Sequence, residues 1–590
     1  MTNQPNITER ADSSSKSRAR RGLRLAWLSL AWTFVAVFFV AGALVLTVRY
    51  VAMPRIDEMR PRIEQMASRA VKAPVTIGRI DASWRGLNPH LALRDVRVAS
   101  GSDRPDLSLP RVDGTVSWLS AVALEPRFSE LRIESLDLDI VRLPGNRFSV
   151  GGFVFDPNEK GEDSGASDWI LAQGEVVIRD ARIRYSDRRD AATATDFELA
   201  HVNLQLENVF GSHIVGLQAQ ATSAIAGPID LRARFRHAPF ARPSDYARWT
   251  GEIFGSVDNA DLAALAHTFA APIKIKHAQG AVRSWVTFDH SRITRVIADF
   301  ALTQVNITLA DNLEPLTLDS LHGRVTQRLW GTDDGTGGQE FEAHRLALVT
   351  ASKETIAPLD FKVRTTRAKG ANPVHTQAQA NRVDIQTLAW FATHVPLAPE
   401  LRETLRKHAI AGTLLGLNAG WPGSAPELKT LSLKARFEGL ASAAQPAVPQ
   451  EGQSGKHAMG LPGFENLSGS IDIADGAGSM QLASKDATLI LPGALAEPRV
   501  KFAKLTSSVR WKSDPVLEVR IDSASASNAE IELEAIGVYR AASTEKGGPG
   551  WLDLTSRIAR LHAPAAYRYV PVVAGSATLN WLQHALVSGR

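Results

Sequence analysis

The chain has 590 residues, a formal net charge of +5 and no cysteine. That length suffices for several domains or one long repetitive one, and the missing thiols exclude a disulfide framework, thiolate catalysis and cysteine-ligated metal. Excess cations crowd into Lys16, Arg18, Arg20, Arg21 and Arg24, so the remainder is nearly neutral and carries no nucleic-acid footprint.

Residues 1–24 read as a basic tail. From Leu25 to Val48 no residue is charged, and only Ser29, Thr33 and Thr47 interrupt the apolar and small side chains. As a helix this stretch spans roughly 36 Å, enough to cross a hydrocarbon core of ~30 Å. Trp27, Trp32 and Tyr50 sit where aromatic rings settle at membrane interfaces. The cations precede the span, which puts the tail in the cytoplasm and everything after Val48 on the outer side. Ala41-Gly42-Ala43 resembles a signal-peptidase site, but the apolar run is long for a cleaved leader, and a single-pass anchor is the expectation. Residues 54–72 follow with Ile56, Met59, Ile63, Met66, Ala67 and Ala70 at helical spacing, an amphipathic helix expected to cap the first sheet. Pro61 either kinks it or lies in its first turn.

Beyond Pro74, residues 74–590 read as strand after strand, separated by Gly, Asn, Asp and Pro turns. Ala181, Ile183 and Tyr185 alternate with Arg182 and Arg184. Leu231, Ala233 and Phe235 alternate with Arg232, Arg234 and Arg236. Leu431, Leu433, Ala435 and Phe437 alternate with Ser432, Lys434 and Arg436. One greasy and one charged face is how a sheet with a wet side is written. Helices are few, expected around Asp261–Phe269, Asp384–Val395 and Glu400–Lys407. They belong to an internal repeat. Val257-Asp258-Asn259-Ala260-Asp261-Leu262, Arg382-Val383-Asp384-Ile385 and Ile558-Ala559-Arg560-Leu561 each lead into a helix. Lys276-His277-Ala278-Gln279-Gly280-Ala281, Lys407-His408-Ala409-Ile410-Ala411-Gly412 and His584-Ala585-Leu586-Val587-Ser588-Gly589 follow. The third copy lacks its strand, which reads as the N-terminal portion of a longer protein. Residues 332–339 and 441–460 read as solvated loops.

No signature of catalysis emerges. There is no Gly-x-Ser-x-Gly elbow and no His-Glu-x-x-His helix, and Gly452-Gln453-Ser454-Gly455-Lys456 lacks the spacing of a phosphate loop. His90, His201, His213, His237, His290, His322 and His375 are scattered singly. Asp137 and Asp139 lie on the wet face of a strand rather than flanking a pocket. Neither an enzyme nor a metal or other cofactor is expected.

Pro54-Arg55-Ile56, Pro74-Val75-Thr76-Ile77-Gly78-Arg79-Ile80 and Ala82-Ser83-Trp84-Arg85-Gly86-Leu87 open a series of short matches. Leu93-Arg94-Asp95-Val96, Leu109-Pro110-Arg111-Val112-Asp113, Ser117-Trp118, Trp169-Ile170-Leu171, Gly174–Ala181 and Asp553–Arg557 continue it. In this order they resemble YhdP-type proteins of the AsmA-like superfamily. The resemblance implies a bacterial inner-membrane anchor and a long, twisted, open antiparallel β-groove in the periplasm. It also implies movement of phospholipids between inner and outer membranes, supporting the outer-membrane barrier.

A sheet with one greasy face must hide it. With so few helices, curling into a trough is the expected solution, and 25–30 strands would make roughly 120–140 Å of it. Ala181, Ile183, Tyr185, Leu231, Ala233, Phe235, Leu431, Leu433 and Phe437 are the candidate lining. Periodicity does not separate such a groove from a dry core. TamB-like relatives keep a second function open, a scaffold for outer-membrane or envelope proteins that pairs strands at sheet edges.

Overall fold

Alternating apolar and charged side chains force a strand to turn one face inward and the other to water, and that pattern organises the computed structural model of the chain. The structure describes residues 12–100, 106–123, 125–155, 165–189, 195–221, 225–238, 241–243, 245–269, 274–331, 336–367, 374–395, 403, 410–423, 426–427, 429–446, 460–514, 516–542 and 550–589. The expected helix over 400–407 (Glu403 apart), the motif at 452–456, and 332–335 and 447–459 of the two expected loops lie outside these residues, whereas 337–339 and 441–442 belong to strands rather than loops. The fold is mainly β, with 26 strands in open, unclosed sheet among the described residues. It divides into one unit of residues 1–222 with 230–249 and a second of residues 223–229 with 250–590.

The first unit begins with α1 (Asp12–Thr47). Its apolar side chains are bare, Trp27 at 73% and Phe34 at 73% exposed, and it is the one described helix long and apolar enough to cross a membrane. After a short irregular turn comes α2 (Ile56–Val71), which runs on through Pro61. Strand β1 (Val75–Arg85) pairs with β2 (Asn88–Val98) and β2 with β3 (Leu107–Val116). The free edge of β1 is satisfied by α2. The Val75 N–H donates to Ser68 Oγ (2.8 Å), the Ile77 N–H to Glu64 Oε1 (2.8 Å), and Arg60 donates to the Gly78 carbonyl (3.1 Å). Such a cover removes backbone groups that would otherwise recruit another strand. Ile56, Ile63, Ala67 and Val71 of α2 then pack on Val75, Ile77, Ile80, Val96 and Val112.

The sheet is antiparallel except at one place. Strand β3 pairs with β4 (Phe128–Glu134), and β5 (Asp137–Leu143) turns into the small strands β6 (Arg147–Val150) and β7 (Phe153–Phe155). Helix α3 (Leu119–Ala123) precedes β4, and α4 (Gly165–Leu171) leads into β8 (Glu175–Asp187). Both β4 and β5 lie parallel to β8, each along half of it. A parallel pair needs a crossover of a dozen or more residues, and the segment carrying β6, β7 and α4 provides one. Strand β8 then pairs with β9 (Thr195–Val209) and β9 with β10 (Ser212–Ala221), and β11 (Pro228–Arg236) follows.

In the second unit every strand from β12 (Thr250–Asp261) to β26 (Trp551–Leu561) pairs antiparallel with the next. Two repeat helices are present, α5 (Leu262–Phe269) and α6 (Ile385–Phe391). The recurring aspartates start them: Asp261 Oδ1 accepts the Ala263 N–H (2.9 Å) and Asp384 Oδ1 the Thr387 N–H (2.8 Å), each satisfying an orphan donor of a first turn.

Bulges interrupt many strands midway. Asp95, Asp180, His201, Asn259, Gln304, Arg345, Asn466 and Asp486 all have positive φ, a conformation that short polar side chains tolerate best. The repeated glycines serve the same end. Gly280 (φ 150°) sits beside a register shift, where a Cβ would overlap the Ala301 carbonyl oxygen, and Gly412 (φ 127°) sits where a Cβ would lie 2.8 Å from Leu440 Cα. Bulges bend a strand and raise its twist.

Candidate functional site

Cross-strand register assembles the apolar residues of the second unit into rows. One row runs Ala378, Ala419, Leu433, Ile473, Gly478, Trp511, Val519, Tyr539 and Leu552. The next runs Ala435, Ile471, Met480, Val509, Ile521, Gly537 and Leu554. A third links Ala343, Phe361, Ala380 and Leu417. Each member faces the same way, because directly opposed residues of a ladder share a face.

Among the described residues, the strands of this unit make their close backbone contacts with ladder neighbours, and within the rows Ala343, Ala419 and Ala435 are buried. Ile471, Met480, Val509, Ile521, Phe361 and Leu417 remain half-exposed. Toward one end of the strands the same face is closed. Leu262 of α5 with Trp390 and Phe391 of α6 cover Ala278, Val305, Leu318 and Leu348. Tyr569, from the short helix Ala566–Tyr569, and Leu495 pack against the cluster that holds Phe437, Phe502, Leu505 and Ile531.

The opposite face is polar and laced across strands. Arg324 grips Asp299 with two hydrogen bonds, the longer 2.7 Å, and Arg510 grips Asp522 at 2.6 Å. Lys362 lies 2.8 Å from both Glu340 and Glu342. These bonds hold the carboxyls of Asp299, Asp522 and Glu342 below the usual range, as expected where the charged form receives the hydrogen bond.

The residues singled out from the sequence divide between these environments. Ala181 (1% exposed) and half-buried Ile183 join Leu136, Val202 and Ala219 in a core of the first unit. Tyr185, half-buried, packs against Phe197 with ring centres 4.9 Å apart. Leu231 and Ala233 are half-buried, whereas Phe235 stacks on Trp249 at 4.1 Å and on His213 at 5.0 Å. Leu431 and Leu433 are half-buried, but Phe437 (2% exposed) is sealed in the core of the second unit. Of the set, Leu433 alone lies on the long open rows.

The uncovered middle of the face, from Ile471 to Ile521, was missed because those strands are rich in Ser and Ala and alternate weakly. The slip in phase where Val75 and Ile77 give way to Ile80 and Ala82 was the available signal for a bulge. Among the described residues no group of three or more His, Asp or Glu side chains is placed to hold a metal ion.

No curated protein matches the chain. The model of the YhdP protein family matches it over residues 22–590, so the chain belongs to the YhdP family, within the AsmA-like superfamily.

Proposed function

We propose that the chain is a conduit for phospholipid acyl chains, held in the bacterial inner membrane by α1 with its N-terminus cytoplasmic and its sheet in the periplasm. The tails slide along the open rows between the inner and outer membranes, which supports the outer-membrane barrier. The chain does no covalent chemistry on its cargo. The observation that carries this reading is the continuity of apolar residues through successive ladders of an open sheet, with Ile471, Met480, Val509 and Ile521 only part-buried. The fifteen strands β12–β26 extend such a face for ~70 Å at ~4.8 Å per strand. Each CH2 group that leaves water there contributes about 0.8 kcal/mol, and neighbouring positions are chemically alike, so movement along the rows costs little. A photoreactive side chain placed at Val509 should crosslink phospholipid in cells. Asp at both Leu433 and Ile471 should abolish that crosslink and weaken the outer-membrane barrier. Unchanged crosslinks and barrier in the doubly charged variant would remove the reading.

A further inference from the structure

We infer that a cleft in the first unit is a headgroup pocket for a phosphoester that also carries a hydrogen-bond donor, an ammonium or a hydroxyl. The inference rests on the lipid reading above and deepens it. The cleft, about 950 Å³, is bounded by the end of α2, by α4, by the start of β4, by the β9–β10 turn and by His237, Arg242 and Pro243.

Its unusual member is His213. The Asn208 side-chain amide donates to the Gln173 carbonyl (2.8 Å), which leaves Asn208 Oδ1 as an acceptor. His213 Nδ1–H therefore donates to that oxygen (2.5 Å), and the tautomer is fixed by the network. Nε2 is then a bare lone pair. It is buried without a hydrogen-bond partner, on a residue only 2% exposed that lines the cleft. The ring is held in place by Phe235 and by His237, whose ring centre is 5.3 Å away. Burial pushes the imidazole pKa down to about 4, with the neighbouring His237 adding to the shift, so near neutral pH the ring remains an acceptor. A buried acceptor without a donor is costly, and a ligand that brings an N–H or O–H removes the cost.

The rest of the wall sets the ligand's other features. Arg69, Lys72, Arg127 and Arg242 line the cleft, against Glu125 and Asp168. Glu125 lies 3.8 Å from Arg127, so the balance favours an anion. Phe128 and Trp169 meet edge to face at 6.3 Å, and Phe210 is fully exposed at the rim, giving apolar surface for the start of a tail. Phosphate on the cations, donor on Nε2 and glycerol against the aromatics describe a glycerophospholipid head. A metal ion would need further ligands, and no such group is present among the described residues.

The test is titration of the full chain, in maltoside micelles stripped of lipid, with short-chain dihexanoyl phosphatidylethanolamine and its mono-, di- and trimethylated forms, followed by tryptophan fluorescence. Affinity should fall about tenfold as the last N–H is lost, the equivalent of one hydrogen bond of ~1.4 kcal/mol. His213→Phe should erase the difference, and His213→Gln, which keeps an acceptor, should restore part of it. Arg127→Gln with Arg242→Gln should weaken all four ligands. Equal affinity across the methylation series overturns the inference without recourse to any variant, as does a preference that survives His213→Phe. Glycerophosphoethanolamine binding as tightly as the dihexanoyl form would support the pocket with a free phosphoester as its source, and much weaker binding would support a lipid source. Crosslinks at Val509 with no preference at the cleft would sink this inference alone, whereas preference at the cleft with no crosslinks would sink the conduit alone.

Discussion

The apolar face of the second unit behaves in two ways along the same strands. Near α5, α6 and the helix Ala566–Tyr569 it is a dry core, with Phe437, Leu318, Leu348 and Ile531 at 2% exposure or less. Further along, past the bulges, Ile471 and Met480 are half-buried at the margin of that core, and Val509 and Ile521 are half-buried outside it. The strands and their chemistry are alike, and the difference is whether a helix lies on top. The covered end holds the sheet together, and the uncovered end is free to meet something else.

Substitutions can break that contrast. The largest loss of stability should come from Phe437→Ala, at about 3–5 kcal/mol by urea unfolding, because a sealed aromatic leaves a cavity that its neighbours cannot fill. Gly280→Val should cost about 2 kcal/mol or more, since its Cβ meets backbone rather than a movable side chain. Ile471→Asp should cost less, about 1–2 kcal/mol, because the site is only half-buried at the margin of the core, yet it should remove lipid crosslinks. Equal losses at Phe437 and Ile471 would mean that both ends are packed alike.

Acid sharpens the comparison in the first unit. His213 has a folded pKa of about 4 against an ordinary 6.5, so between these values the unfolded chain binds more protons. Its contribution is complete above about pH 6.5 and is lost as pH falls toward 4. A melting temperature that drops over this window in the wild type, and drops less in His213→Phe, is the expected result. The smallest effect belongs to the polar face: Asp299→Asn should cost at most about 1 kcal/mol, since its Arg324 partner is half exposed.

Much of the fold was legible in the sequence, because period-two alternation is strong wherever arginines flank apolar residues, as at Ile183 and Phe235. The uncharged run from Leu25 to Val48 announced α1 equally well. The repeated aspartates and glycines pointed to helix starts and strand entries, and Asp261, Asp384 and Gly280 have those roles. What stayed hidden depends on contacts distant in sequence. Alternation is blind to a cover supplied by another segment, so it could not tell sealed Phe437 from half-open Leu433. Nor could it foresee that β8 would run parallel to β4 and β5, a pairing set by the crossover through α4. His213 looked like one scattered histidine among several, and only the fold brings Asn208, Phe235 and Trp249 around it.

The most direct test of the uncovered rows is native mass spectrometry of the chain released from maltoside, comparing wild type with a variant carrying Asp at Ile471 and Val509. Phospholipid-mass adducts on the wild type that vanish in the variant are predicted. A wild-type chain that emerges bare, or adducts that persist in the variant, would contradict the idea that those side chains hold lipid.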